Sequence, residues 1–368
     1  MSISEITSKY KDDLKVLEVS SRINTNKNSM FFSGLSGNLD VILPLSVSQK
    51  DKLSHCFVLS DKEKALIFYS NLCNFLDKNK VYFFPFSFLS PYDDDLLNNA
   101  NVVMRTEAIQ AVVSRKKEKI YIVTYPEGLF EKFPSEKFQN KLSLSIEKKQ
   151  KLNIKSIRNT LVERGFSLED FITQPGDLAI RGNIIDVFSY SYKNPIRIEM
   201  DGDFVEKIKV FDVESQLTIK EVEGVMVVSN LQSNEESKEY LSLFGFFDSN
   251  WCVRTDSVSL SANIIDEKNK QAIELYEEIK NKSKVVLSLP PKKRFLDKKL
   301  FLEELNRFKR VEFGRENKKN NSTKIKYNSS PQPKFNKNLS LLVDDLKKHQ
   351  ENNYSITVSY THLTLPTN

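Results

Sequence analysis

Two arginines in the middle of the chain, Arg181 and Arg197, have the clearest chemical use. Arg181 falls in Ile180-Arg181-Gly182-Asn183 between two strand-like runs, and Arg197 lies on a strand leading to an Asp201-Gly202 turn. A guanidinium offers a planar fork of donors that fits a carboxylate, and such groups anchor protein interfaces. Spacing alone describes two ordinary surface charges as well, and taken by itself favours them.

A nucleotide site would sit first at Ser33-Gly34-Leu35-Ser36-Gly37-Asn38-Leu39, a glycine-bearing turn that enters an apolar segment. A phosphate loop needs closely approaching backbone N–H groups, a lysine for the β and γ oxygens, and Ser or Thr for magnesium. This turn has no lysine, Gly34 and Gly37 are too close together, and the chain holds no GK[ST]. Gly34, Gly37 and Asn38 are therefore expected to form a degenerate or ordinary turn, with weak anion binding at a helix N-terminus as the alternative. Asp93, Asp94 and Asp95 offer hard-cation oxygens without a spaced second set of acidic ligands, so a solvated loop is expected. His55, His349 and His362 form no pair with metal or catalytic spacing, and GxSxG is absent. No enzyme site, cofactor or metal is expected of these residues.

The elements that must position the arginines follow from periodicity. Strands are expected at His55–Ser60, Val81–Phe86 and Lys119–Thr124, with a helix after Ser60, capped by it, and another over Asn98–Arg115. Strands alternating with helices predict a largely parallel sheet. From Pro126 the pattern changes to a helix at Asn153–Arg164, stopped by Gly165, and strands at Leu178–Arg181, Asn183–Phe188, Ile196–Met200 and Val205–Phe211. Asp201-Gly202 between the last two is a hairpin signal, because a primed turn needs the positive φ that glycine accepts. A helix over Ile264–Asn281 and a strand over Lys284–Leu289 come next, then a polar basic stretch, Arg315–Pro333, expected as a linker. Leu339, Leu342, Val343 and Leu346 mark an amphipathic helix, with a strand expected at Tyr354–Ser359. The final Tyr360–Asn368 differ in character from what precedes them and are expected to be a non-native tail.

The 368 residues suffice for two or three domains at about 100–200 residues each. The formal charge of +6 is uneven: Lys282 to Lys337 holds 17 Lys or Arg against 5 Asp or Glu, which is +12, so the rest sums to −6. Clustered cations suit nucleic-acid phosphates, but a solvated basic linker explains the same run. Cys56, Cys73 and Cys252 lack disulfide or zinc spacing and are expected as reduced core residues. Without an apolar run of membrane-spanning length or a secretory start, a cytoplasmic place is expected.

Several motifs resemble, in order, the N-terminal UvrB-like module of the bacterial transcription-repair coupling factors. They are Phe84-Pro85-Phe86 with Ser90-Pro91-Tyr92, Met104-Arg105-Thr106-Glu107-Ala108, Leu161 to Phe166, Gln174-Pro175-Gly176-Asp177, Arg181-Gly182-Asn183-Ile184-Ile185-Asp186-Val187-Phe188, Arg197-Ile198-Glu199, and Val210-Phe211-Asp212. The resemblance implies an α/β fold in which a degenerate motor-like parallel-sheet domain (1–125 and 230–314) is interrupted by a small α+β UvrA-binding domain (126–229). A basic linker (315–333) and the start of a further α/β domain (334–359) would follow. It implies that Arg181 and Arg197 contact UvrA. Asp201 stands where the family usually has an aromatic contact, and Phe204 is the nearest substitute. The loop between Phe86 and Met104 is too short for the long DNA hairpin of UvrB. In the family, RNA polymerase, DNA and ATP with magnesium are engaged mainly by domains C-terminal to this region, which also folds back on the translocase to restrain it. The alternatives are an active ATP-dependent UvrB-like helicase and a nucleic-acid-binding protein acting through Lys282 to Lys337.

Overall fold

The computed structural model describes residues 8–25, 30–37, 39–87, 92, 98–115, 118–135, 143–229, 239–282, 289–313 and 323–356. Four strands come first: β1 (Met30–Ser33), β2 (Ser54–Val58), β3 (Val81–Phe84) and β4 (Tyr121–Thr124). Then follow β5 (Phe133–Pro134), β6 (Ser143–Glu147), β7 (Ser167–Leu168), β8 (Asp177–Arg181), β9 (Ile184–Val187), β10 (Ile196–Asp201), β11 (Phe204–Phe211), β12 (Thr218–Val222), β13 (Gly224–Val228) and β14 (Tyr240–Leu241). The last are β15 (Trp251–Thr255), β16 (Lys309–Phe313) and β17 (Thr323–Lys326).

The larger sheet has the order β17-β1-β16-β15-β2-β4-β3, and its pairings are all parallel. Its central strands β2, β4 and β15 are buried along their whole length, as strands covered by helices on both faces must be. One face packs Cys56, Phe84, Ile109, Trp251 and Phe301, and the other packs Phe32, Phe57, Phe68, Val123 and Val311. Strands from before and after the β5–β14 region thus complete one parallel sheet, in keeping with the α/β class read from the alternating pattern.

Local chemistry sets the helix starts. Asn98 caps the helix Asn99–Ser114 by accepting from the Asn101 amide at 3.0 Å. At the helix Lys62–Phe75 the cap is Asp61, not the expected Ser60: the Asp61 carboxylate accepts from the Lys64 amide at 2.9 Å, while Ser60 sits one residue outside and donates its hydroxyl to Asp61. The helix expected from Ile264 begins earlier, at Val258, and runs to Lys282. Cys56 and Cys252 are core residues as read, but Cys73 is only half-buried, packed against the margin of the core.

The second sheet has the order β12-β11-β10-β9-β8-β7 and is antiparallel except for β7 beside β8. Gly202, at φ +55°, makes the tight turn from β10 to β11 where Asp201-Gly202 signalled it. Asn153 caps the helix Ile154–Glu163, and Gly165, at φ +86°, ends it. Ile157 and Leu161 of this helix meet Ile185, Ile198 and Ile208 on the inner face of the sheet. Tyr190 packs on Val102 and Val103, and Asn99 donates to Gln174, so the smaller sheet rests against the helix Asn99–Ser114.

Within the span read as a linker, β17 pairs in parallel with β1, Met30 opposite Thr323 and Ser33 opposite Lys326. The helix Leu339–Glu351 forms as its stripe predicts but has no buried residue. Tyr354–Ile356 is not a strand, and the remainder of that expected strand lies outside the described residues, as do Lys284–Ser288, Asp93–Asp95, Ser90-Pro91, Asn38 and Tyr360–Asn368. Among the described residues no helix is long and apolar enough to cross a membrane.

Candidate docking surface

Residues on β8, β9 and β10 alternate between the packed inner face and an outer face. Ile185, Ile196 and Ile198 point inward. Ala179, Asp186 and Arg197 fall opposite one another across the three strands on the outer side. There Asp186, only 1% exposed, holds both predicted arginines. Arg197 grips it with two bonds, Nε to Oδ1 at 2.7 Å and Nη2 to Oδ2 at 2.8 Å, and Nη2 also donates to Gln216 at 3.2 Å. Arg181 donates from Nη2 to the same Oδ2. The side chains remain 41% exposed for Arg181 and 21% for Arg197, so neither guanidinium is swallowed by the fold.

Each guanidinium also lies over a ring. Arg181 is 5.2 Å from the centroid of Phe171, itself 66% exposed, and Arg197 is 4.5 Å from that of the buried Phe211. Its hydrogen bonds to Asp186 raise the Arg197 guanidinium above its ordinary range. Asp201 and Phe204 face each other as a pair at the end of the β10–β11 hairpin, four residues along from Arg197. Both are exposed, Phe204 at 53%. The structure thus brings Arg181 and Arg197 together and leaves Asp201 and Phe204 as a separate tip. Asp186, Phe171 and Gln216 were not picked out from the sequence. The one available signal was an acidic residue at an outward position of the apolar run Ile184-Ile185-Asp186-Val187.

The glycine turn after β1 serves packing. Gly34 has φ +73°, and a Cβ there would lie 2.0 Å from the carbonyl oxygen of Tyr327. The chain beyond β17 runs over this turn: the Tyr327 amide donates to Ser33 O at 2.9 Å, and the Ser329 hydroxyl donates to Gly34 O. Beside it, at the carboxyl ends of the strands, where open α/β sheets usually bind ligands, is a crevice of about 760 Å³ lined by Asp40, Ser60, Lys64 and Asp256 among others. Asp40 stands in the first turn of the helix Leu39–Ser48, so the chain's own carboxylate takes the helix end that a phosphate would use. Burial, and next the charge of Asp256, push the Asp40 carboxyl up to about 6, and burial raises Asp256 as well.

A stability test follows from that shift. A carboxyl raised in the folded state favours folding below its unfolded value of 3.8 and loses that benefit as pH rises through about 6. Asp40→Asn is therefore expected to stabilise the chain at pH 8, by at most about 3 kcal/mol, and to leave it unchanged at pH 4. Thermal melts at the two pH values check this, and equal shifts at both would contradict it.

Two further charge clusters lie largely inside the fold. Arg105, fully buried, donates from Nη1 to Pro85 O at 2.5 Å and Gly128 O at 2.7 Å, lies 3.6 Å from Glu131 Oε2, and packs over the adjoining rings of Phe84 and Phe133. On the opposite face of the sheet, Asp51 Oδ1 meets Lys119 Nζ at 2.8 Å and His55 Nε2 at 3.1 Å. Arg254 Nε donates to His55 Nδ1 at 3.2 Å. Because Arg254 can only donate, Nδ1 accepts, and the imidazole proton sits on Nε2 facing Asp51. Burial, then the neighbouring Arg254, push His55 down to about 4, so it is neutral near pH 7. Burial alone would raise Asp51, but His55 and Lys119 outweigh it and hold the carboxyl well below the usual range. Both clusters spend their charges on one another and cement the fold, with Lys119 alone reaching the surface in part.

Residues 144–232 match the UvrB interaction domain family, a span that includes Arg181, Asp186, Arg197, Asp201 and Phe204. The chain is similar to the transcription-repair-coupling factor of Rickettsia bellii, 29% identical over 182 residues, which is 50% of this chain and 16% of that protein. It is 31% identical over 170 residues to that of Rickettsia prowazekii, covering 46% of this chain and 15% of the relative. With that of Escherichia coli it shares 22% identity over 222 residues, 59% of this chain and 18% of the relative. The chain thus spans less than a fifth of the length of these relatives.

Proposed function

We propose that this relative of the transcription-repair-coupling factors, which carries a UvrB interaction domain, docks the excision-repair protein UvrA through the outer face of its smaller sheet. The observation that carries the reading is the placement of Arg181 and Arg197 side by side on that face, within the matched span, both on Asp186 and both still partly exposed. Arginines ordered in this way over aromatic rings suit carboxylates on a partner. Phe204 and Asp201 at the hairpin tip form a second, outer contact in this proposal. The docking is non-catalytic, and the chain divides functionally into the parallel-sheet body, the docking insert and a following segment. In the cell the module acts in the cytoplasm, brings UvrA to RNA polymerase stalled at damage, and restrains a DNA translocase driven by ATP and magnesium in the parent protein. Docking is favoured over an ATP-dependent helicase by the Gly34 turn, where Tyr327 takes the space and Asp40 supplies the anion.

The test is a titration of the full chain against purified UvrA. Arg181→Ala and Arg197→Ala are each expected to cost about 2 kcal/mol, roughly thirtyfold in affinity, and together roughly several hundredfold, weak but still measurable. A double variant that binds as tightly as the parent chain would overturn the reading.

A further inference from the structure

The two guanidiniums are not independent. They share one carboxylate, Asp186, which is almost completely buried beneath them. An arginine side chain on a strand ordinarily samples many rotamers, and ordering it at an interface carries an entropic cost. Here Arg197 is fixed twice over, by the two-point grip on Asp186 and by Phe211 beneath its plane, with Gln216 as an additional acceptor. Arg181 is fixed by Asp186 and lies over the exposed ring of Phe171. Among the described residues no hydrogen bond engages Nη1 of either arginine. Those edges are what the surface offers to an outside acceptor.

We infer that Asp186 is the positioning residue of the docking surface: it holds both arginines in the binding geometry before a partner arrives, and the cluster's single surplus positive charge selects a carboxylate side chain of the partner as its ligand. The inference rests on the docking reading above and adds a residue that does not itself touch the partner. It sets two opposite effects on the kinetics. Neutralising Asp186 adds net positive charge, which speeds or preserves encounter with an acidic surface. It also frees the guanidiniums, so the complex once formed lets go sooner.

Association and dissociation of UvrA are to be measured at several salt concentrations for the parent chain, Asp186→Asn, the Arg181→Ala/Arg197→Ala double variant, and the triple variant. Asp186→Asn is expected to dissociate at least about tenfold faster with an association rate that does not fall, and the triple variant to match the double one. A further loss in the triple variant would mean that Asp186 supports the fold in general, and dissociation at the parent's rate would mean that it positions nothing. Either result overturns the inference. Should Asp186→Asn fail to fold, the parent chain alone decides: in a nitrogen-15-labelled sample the Arg197 Nε–H should exchange slowly with water, and exchange at the rate of a free arginine would overturn the inference. Unchanged UvrA binding by the double arginine variant would sink the docking reading itself, whatever Asp186 does.

Discussion

Arg105→Ala is expected to lower the free energy of unfolding by about 3–5 kcal/mol, a large share of what a domain of this size holds in reserve. The reason is geometric. Arg105 reaches from the helix Asn99–Ser114 to the carbonyls of Pro85, just after β3, and Gly128, just after β4, and stands against Glu131. Removing it strands buried carbonyls and takes the cation away from Glu131, which accepts from the Ser87 amide and hydroxyl in a site only 2% exposed. It also leaves a cavity over the adjoining rings of Phe84 and Phe133, so the loss combines electrostatics with packing. Arg105→Lys keeps the charge but cannot span two carbonyls and the carboxylate, and should recover only part of the loss. Urea unfolding followed by circular dichroism measures both variants; a change below about 1 kcal/mol for alanine would contradict the clamp.

The second large effect is expected at the other internal cluster. Asp51→Asn removes the carboxylate that faces Lys119 and the His55 N–H, leaving Lys119 and the buried Arg254 without it, and should cost about 3–5 kcal/mol at pH 7. The sign with pH is distinctive. A carboxyl held low in the folded state supplies stability above its unfolded value of 3.8 and loses it as pH falls further. The gap between parent and variant should therefore narrow below about pH 4. His55 acts in a separate window: folded at about 4 and unfolded at 6.5, it makes the parent chain lose stability as pH falls between those values. Asp40 opposes that slope, because its raised carboxyl gains from the same acidification. Combining Asp40→Asn with the parent His55 should expose the His55 slope, and a flat profile from pH 6.5 to 4 in that variant would refute it.

Most of the elements were legible because each depends on near neighbours in sequence. The Asp201-Gly202 turn, the Asn153 to Gly165 helix and the alternating strand Ile196–Asp201 carry their instructions locally. Ser60 and Asp61 compete for one cap position, and the carboxylate took it, a choice that a pattern shared by both residues does not resolve. Strand β17 carries the single apolar side chain Ile325 among Thr323, Lys324 and Lys326, which suits a sheet edge but resembles a basic linker. The site was half legible. Arg181 and Arg197 stood out by type, and the family resemblance drew attention to them. Their common partner Asp186 did not, since only the antiparallel register sets it between them. Arg105 was visible as part of a motif, yet its purpose depends on Pro85, Gly128 and Glu131, which only the folded chain brings near.

The packing of Tyr327 on the glycine turn has a mechanical consequence. Strand β17 lies at the margin of the larger sheet, and the residues just past it are tied to the amino-terminal helix Leu14–Thr25 and its entry by Lys15 over the Tyr327 ring and by the Tyr327 hydroxyl on Asp13. Tension on the chain beyond Ser330 would strip this margin one rung at a time and pull on that helix in the same stroke, while the β2, β4 and β15 centre stayed shielded. The fold thus has a sacrificial seam, and a stretching experiment should register its rupture before that of the sheet.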